Sequence, residues 1–199
     1  MDYPALTPKL LSGTERIADT TLSDYWRWAH SNLVDNAERG VFAEYLVHTA
    51  MRAESPTRVN WDKCDVISPE GIAIEVKASG YIQSWAQEKL STITFSIRPT
   101  YGWDSESNTY STECFRQSDV YVFCLLAHKD QETLDPLDMS QWKFYILPTR
   151  ILNEKVGEQK TISLSGIIKL GAMETDYAGI RDVVLKAGNQ SIPVYNKAY

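Results

Sequence analysis

The chain has little of what marks a secreted, membrane-spanning or zinc-held protein. Its 199 residues include three cysteines, Cys64, Cys114 and Cys124. That odd number without metal-ligand spacing argues against a disulfide or zinc framework and for a reducing compartment. No run of 18 apolar residues occurs, so no membrane span is expected. The first 20 residues hold Pro4, Pro8 and Gly13 and no apolar segment, so no secretory signal is expected and the cytoplasm is the expected location. An excess of positive charge is missing too: 26 acidic against 20 basic residues give −6 at pH 7. This argues against an extended basic face for nucleic acid, while leaving room for a local basic groove. Any polyanion should then bind weakly, with strong salt dependence. Repeats, low-complexity tracts and linkers are also absent. One domain over residues 1–199 is expected, with a core over about 36–150, a helical leader before it and strand and helix additions after it.

What is present is concentrated between Trp61 and Gln83. Asp65-Val66-Ile67-Ser68 reads as a short strand, Pro69-Glu70-Gly71 as a three-residue turn, and Ile72 to Lys77 as the return strand. The loop length sets Ser68 opposite Ile72 and therefore Asp65 opposite Glu75. Side chains two apart on a strand share a face, so Glu75 and Lys77 lie together. Opposed residues sit roughly 5 Å apart at Cβ, where two carboxylates repel unless a cation separates them. Oxygen ligands are those that Mg²⁺ takes. The same alternation also describes an ordinary half-buried strand, with Ile72, Ile74 and Val76 inward and Glu75 and Lys77 in solvent.

An aspartate, a turn and then Glu-x-Lys resembles the PD-(D/E)XK nucleases, the restriction-endonuclease-like superfamily. Asp65, Glu75 and Lys77 match the motif, with Cys64 standing where the family usually has proline. The resemblance is good over about residues 36–85 and coarse elsewhere. It implies an α/β fold with a mixed central sheet flanked by helices. It implies a Mg²⁺ ion, or Mn²⁺, held by Asp65 and Glu75 with the backbone carbonyl of Val76. Lys77 would position water or stabilise charge. Glu44, on the helix before the sheet, would add an acid, and Gln83 would orient Lys77 or the water. The expected activity is phosphodiester hydrolysis in DNA, endonucleolytic and connected with restriction or defence. RNA cleavage and a silent binding or assembly module are the alternatives. A homodimer or a partner protein fits the same resemblance.

The remaining chain gives a coarse outline. Helices are expected over Asp24–His30, with Thr20, Thr21 or Ser23 as cap, and over Asp35 to Ala53, ended by Ser55-Pro56. On the second helix, Phe42, Leu46, Thr49 and Ala50 form one stripe, with Val41, Tyr45 and His48 beside it. Arg58 to Trp61 reads as a first strand, and Asp62 is a weaker rival to Asp65. Tyr81 to Leu90 reads as a short helix that carries Gln83. Ile97 to Asp119 lacks periodicity; its Arg98, Tyr101, Trp103 and Arg116 are candidates for substrate contact. Val120–Ala127 reads as a central strand and Trp142–Leu147 as another, with a short helix from Thr149. Thr161–Leu164 and Ile167–Leu170 read as weaker strands, and Ala178–Lys186 as a last helix.

Overall fold

The computed structural model describes residues 8–58, 63–104 and 109–189. In chain order the strands are β1 (Arg16–Ile17), β2 (Thr20–Thr21), β3 (Val66–Ile67), β4 (Ala73–Gly80), β5 (Thr94–Ser96), β6 (Thr100–Asp104), β7 (Thr109–Phe115), β8 (Val120–Leu126), β9 (Trp142–Pro148), β10 (Thr161–Ser163) and β11 (Met173–Thr175). The helices are α1 (Leu22–His30), α2 (Asn36–Met51), α3 (Thr149–Val156), α4 (Leu164–Lys169) and α5 (Ile180–Asn189). The architecture is mixed α/β around a five-stranded sheet in the order β11-β9-β8-β4-β3. β4 and β8 run parallel, and the other pairs are antiparallel.

β8 explains the layering. Its seven residues, Val-Tyr-Val-Phe-Cys-Leu-Leu, are all buried, as a strand covered on both faces must be. Val120, Val122, Cys124 and Leu126 point to one side, where Ala43, Leu46 and Val47 of α2 and Ile180 and Val184 of α5 meet them. Tyr121, Phe123 and Leu125 point to the other side, with Phe95, Leu152, Ile162 and Ile167. Ile74 and Val76 of β4 belong to the first layer. Strand alternation then turns Glu75 and Lys77 to the second.

Local chemistry sets the ends of the elements that matter. Asp35 caps α2 by accepting the Ala37 N–H at 2.9 Å. The helix stops at Met51 because Arg52 takes a left-handed conformation (φ 56°) and returns its N–H to the carbonyls of His48 and Thr49. It therefore ends ahead of Ser55-Pro56. The buried stripe of α2 is Ala43, Leu46, Val47 and Met51; Val41 and Tyr45 are exposed. In the β3–β4 hairpin, Gly71 sits at φ +82° and donates to the Ser68 carbonyl at 2.8 Å. A side chain there would be strained, so the turn depends on glycine.

Several expectations need correction. β4 does not leave the sheet after Lys77 but pairs with β8 as far as Gly80↔Leu126. Residues 81–90 form a loop, closed by the Ser91 N–H on the Tyr81 carbonyl at 2.9 Å, instead of a helix. The crossover between the parallel strands β4 and β8 thus carries no helix among the described residues. It carries β5 and, within the segment that lacked periodicity, the β6–β7 ribbon. An alternating Thr/Ser/Tyr ribbon exposed on both sides offers no apolar face to read. Residues 167–170 belong to α4 and its end rather than a strand: Ser163 caps the helix by accepting the Gly166 N–H at 3.1 Å. β11 was not foreseen. The proposed strand over Arg58 to Trp61 and the rival Asp62 lie outside the described residues beyond Arg58. Among the described residues no helix is long and apolar enough to cross a membrane.

Candidate active site

The hairpin register is the one read from the turn length. Val66 pairs with Ile74 and Ile67 with Ala73, and the Ser68 N–H meets the Ile72 carbonyl at 3.0 Å. One step further, the Asp65 N–H donates at 3.1 Å to the carbonyl of Ile74, the residue that Val66 pairs with, so Asp65 sits at the irregular end of the ladder and not, as expected, in strict register with Glu75. The Asp65 carboxylate accepts the Val76 N–H at 2.7 Å. Glu75 reaches the Lys77 ammonium at 2.5 Å through one oxygen and accepts the Ser118 hydroxyl at 3.2 Å through the other. Asp65 thus lies within electrostatic reach of the Glu75–Lys77 pair, which sits beside Tyr121, the β8 partner of Glu75.

The electrostatics follow from crowding carboxylates where water is scarce. Burial, then the neighbouring Glu75 charge, pushes the Asp65 pKa up to about 6, against the pull of Lys77 and the Val76 N–H. Burial works against the Lys77 ammonium, but the charges of Glu75 and Asp65 outweigh it and hold its pKa above the ordinary value. Lys77 is therefore a cation and hydrogen-bond donor at neutral pH, and a poor general base. Burial and the Glu75 charge likewise keep the Tyr121 phenol protonated.

Glu44 arrives from α2. It lines a cleft of about 610 Å³ between that helix and β3, together with Tyr45, Arg58, Asp65 and Ile67. Its carboxylate accepts both the Nε and an Nη of Arg58, the latter at 2.9 Å. Its charge is felt by both Asp65 and Lys77. Asp65 thus joins the cleft to the Glu75–Lys77 pair. His48, one turn along α2, is turned to Ser55, whose carbonyl and hydroxyl lie 3.0 and 3.2 Å from Nε2.

Other expected residues lie elsewhere. Gln83 is buried, with its amide committed to the Gly80 carbonyl at 2.9 Å, the Ser91 hydroxyl at 3.1 Å and the Arg39 guanidinium at 3.4 Å. It fastens the loop after β4 to α2 and does not orient Lys77. Arg116 is also buried, spending its donors on the Ile97, Gly157 and Gln159 carbonyls and the Asn153 side chain. That leaves it as a tie between segments, with four of its five N–H donors spent within the protein. Arg116→Ala should strand these acceptors and lower stability by roughly 2–4 kcal/mol. Denaturant unfolding checks this, and cleavage by the folded fraction should be unchanged. Arg98 is exposed, Tyr101 is 57% exposed at the foot of the β6–β7 ribbon, and the Trp103 side chain lies outside the described residues.

Sequence reasoning missed Ser118 and Asp119. Asp119 accepts the Ala73 N–H at 2.9 Å and donates its own N–H to the Ala73 carbonyl at 2.8 Å, tying the starts of β4 and β8 together. Ser118 then falls on Glu75. The available signal was that both residues immediately precede the apolar strand, whose parallel pairing with the motif strand brings the two starts side by side.

Among the described residues no three His, Cys, Asp or Glu side chains gather into a ready-made metal cage. Mg²⁺ seldom needs one: one or two carboxylates, with water and substrate phosphates completing the shell, are its usual ligands. Asp65 and Glu75 offer two carboxylates within electrostatic reach of each other, with burial the first cause of the raised Asp65 pKa and the Glu75 charge the second.

No curated protein matches the chain. A family model described as bacteriophage T4 endonuclease IV matches residues 6–166, well over half of the chain and inclusive of α2, the hairpin, β8 and β9. The chain belongs to the bacteriophage T4 endonuclease IV family.

Proposed function

We propose that this protein is a metal-dependent endonuclease that hydrolyses phosphodiester bonds in DNA, on the PD-(D/E)XK plan. One observation carries the reading. Asp65 and Glu75 lie within electrostatic reach of each other at the end of the hairpin, and Lys77 is ion-paired to Glu75 and feels both charges. Family membership supports the hydrolase, and the succession of α2, the antiparallel hairpin and the parallel strand β8 supports the restriction-endonuclease-like plan.

In this reading Asp65 and Glu75 hold Mg²⁺ or Mn²⁺. The Val76 carbonyl, on the same edge of β4 as the N–H that meets Asp65, is available as a further ligand. The ion, when bound, supplies Lewis acidity toward the scissile phosphate and acidifies water. The protein's own groups do the positioning. The Val76 N–H fixes one Asp65 oxygen, and Ser118 fixes one Glu75 oxygen. Lys77, protonated and held by Glu75, donates to a non-bridging phosphate oxygen as negative charge builds there. Glu44 adds negative charge at the cleft side and orients water from α2.

The test is incubation with linear, circular and single-stranded DNA, and with RNA, in Mg²⁺, Mn²⁺ or EDTA. Cleavage of a closed circle in Mg²⁺ or Mn²⁺, and none in EDTA, is expected. Cutting that persists in EDTA would remove the metal mechanism. Absence of cutting on every substrate would leave a binding module.

A further inference from the structure

The cleft beside the acids holds a cation whose role the hydrolysis scheme does not use. We propose that Arg58 takes a substrate phosphate beside the acidic site, and that Glu44 holds its guanidinium ready for it. The inference rests on the nuclease reading above.

Arg58 is the one Lys or Arg among the described residues that line the cleft shared by Glu44 and Asp65. Its forked donors already engage both oxygens of one carboxylate, and a phosphodiester presents two oxygens to the same fork. The arginine side chain is 42% exposed and the glutamate 16%, so a ligand entering from the cleft meets the guanidinium first. Lys77, 27% exposed and bound to Glu75, lies deeper.

Charge balance gives the reason. Among the described residues Glu44, Asp65 and Glu75, with Glu54 also on the cleft wall, outnumber Lys77 and Arg58, on a body of net charge −6. A phosphodiester adds a further negative charge. Without Arg58 the approach is repelled more strongly, and metal alone must offset it. Exchange of the guanidinium from Glu44 to phosphate would leave the Glu44 carboxylate free to orient water at the site, coupling substrate arrival to the third acid.

The experiment is a fluorescence-anisotropy titration of a labelled duplex and a labelled single strand. Ca²⁺ replaces Mg²⁺ to slow turnover, and salt is varied. One lost phosphate contact lowers the slope of log K against log salt by about 0.7–0.9. Arg58→Ala should show that smaller slope and weaker binding to both probes, whereas Arg58→Lys should keep the slope and lose only affinity. If Arg58→Ala does not fold, Arg58→Gln serves as the neutral variant. An unchanged slope in the neutral variant, with wild-type binding present, overturns the role of Arg58 alone. Failure of the wild type to bind either probe overturns the nuclease reading and this inference with it.

Discussion

Asp65→Asn, Glu75→Gln and Lys77→Met should each lower DNA cleavage by roughly 10²–10³-fold or more while the protein stays folded. Loss of one preorganised charge at a developing anion costs about that much. The three variants should separate by a second measurement. Asp65→Asn and Glu75→Gln each remove one of the two carboxylates, so Mn²⁺ binding by calorimetry should weaken along with cleavage. Lys77→Met retains both acids and frees Glu75 from its ion pair. It should bind Mn²⁺ at least as well as the wild type and still fail to cut. Single-turnover rates matter here, because product release can hide a slowed chemical step. Full activity in Lys77→Met would end the role given to the ammonium. Loss of Mn²⁺ binding in that variant would mean that the lysine supports the site's architecture instead.

How far the sequence led to this site can be judged residue by residue. The pairing of Val66 with Ile74 and of Ile67 with Ala73 was legible because a hairpin turn is local and Pro69-Glu70-Gly71 sets its register. β8 and β9 were legible because strands buried on both faces are continuous apolar runs. α1 was legible because Thr21, one of three caps the sequence offered, closes its start, and α2 because of the helical spacing of its apolar residues around Leu46. What failed depended on distant partners. Gln83 was taken for a site residue, yet it is drawn away by Arg39, 44 positions back on α2, and by the close of its own loop. Arg116 looked like a surface cation and is buried, because carbonyls from two separate segments, Ile97 on one side and Gly157 and Gln159 on the other, converge on it. Neither convergence leaves a periodic mark. Ser118 and Asp119 escaped notice for the same reason: their importance lies in strand pairing across more than 40 residues. Residues 167–170 misled because a single helical turn and a short strand have similar apolar content.

Asp65→Asn should also raise the stability of the metal-free protein, which separates a functional acid from a structural one. The folded Asp65 pKa of about 6 lies above its ordinary value because burial and then Glu75 penalise the carboxylate. The folded state therefore holds that proton more tightly than the unfolded chain does. Its contribution is fully present below about pH 4 and is lost as pH rises through about 6. At neutral pH in EDTA the wild type carries the whole penalty. Asparagine removes the charge yet keeps an oxygen for the Val76 N–H, and should gain on the order of 1–3 kcal/mol. For a chain of this size that corresponds to a melting shift of several degrees, at roughly 2–4 °C per kcal/mol. The difference between variant and wild type should shrink as the pH is taken from 7.5 towards 4. Millimolar Mn²⁺ should reverse the order at neutral pH, since an ion bound only by the folded wild type stabilises it by mass action. A melting temperature lowered by Asp65→Asn in EDTA would mean that the Asp65 carboxylate is already satisfied by Lys77 and Val76. The main physical reason for a cation at this site would then be gone.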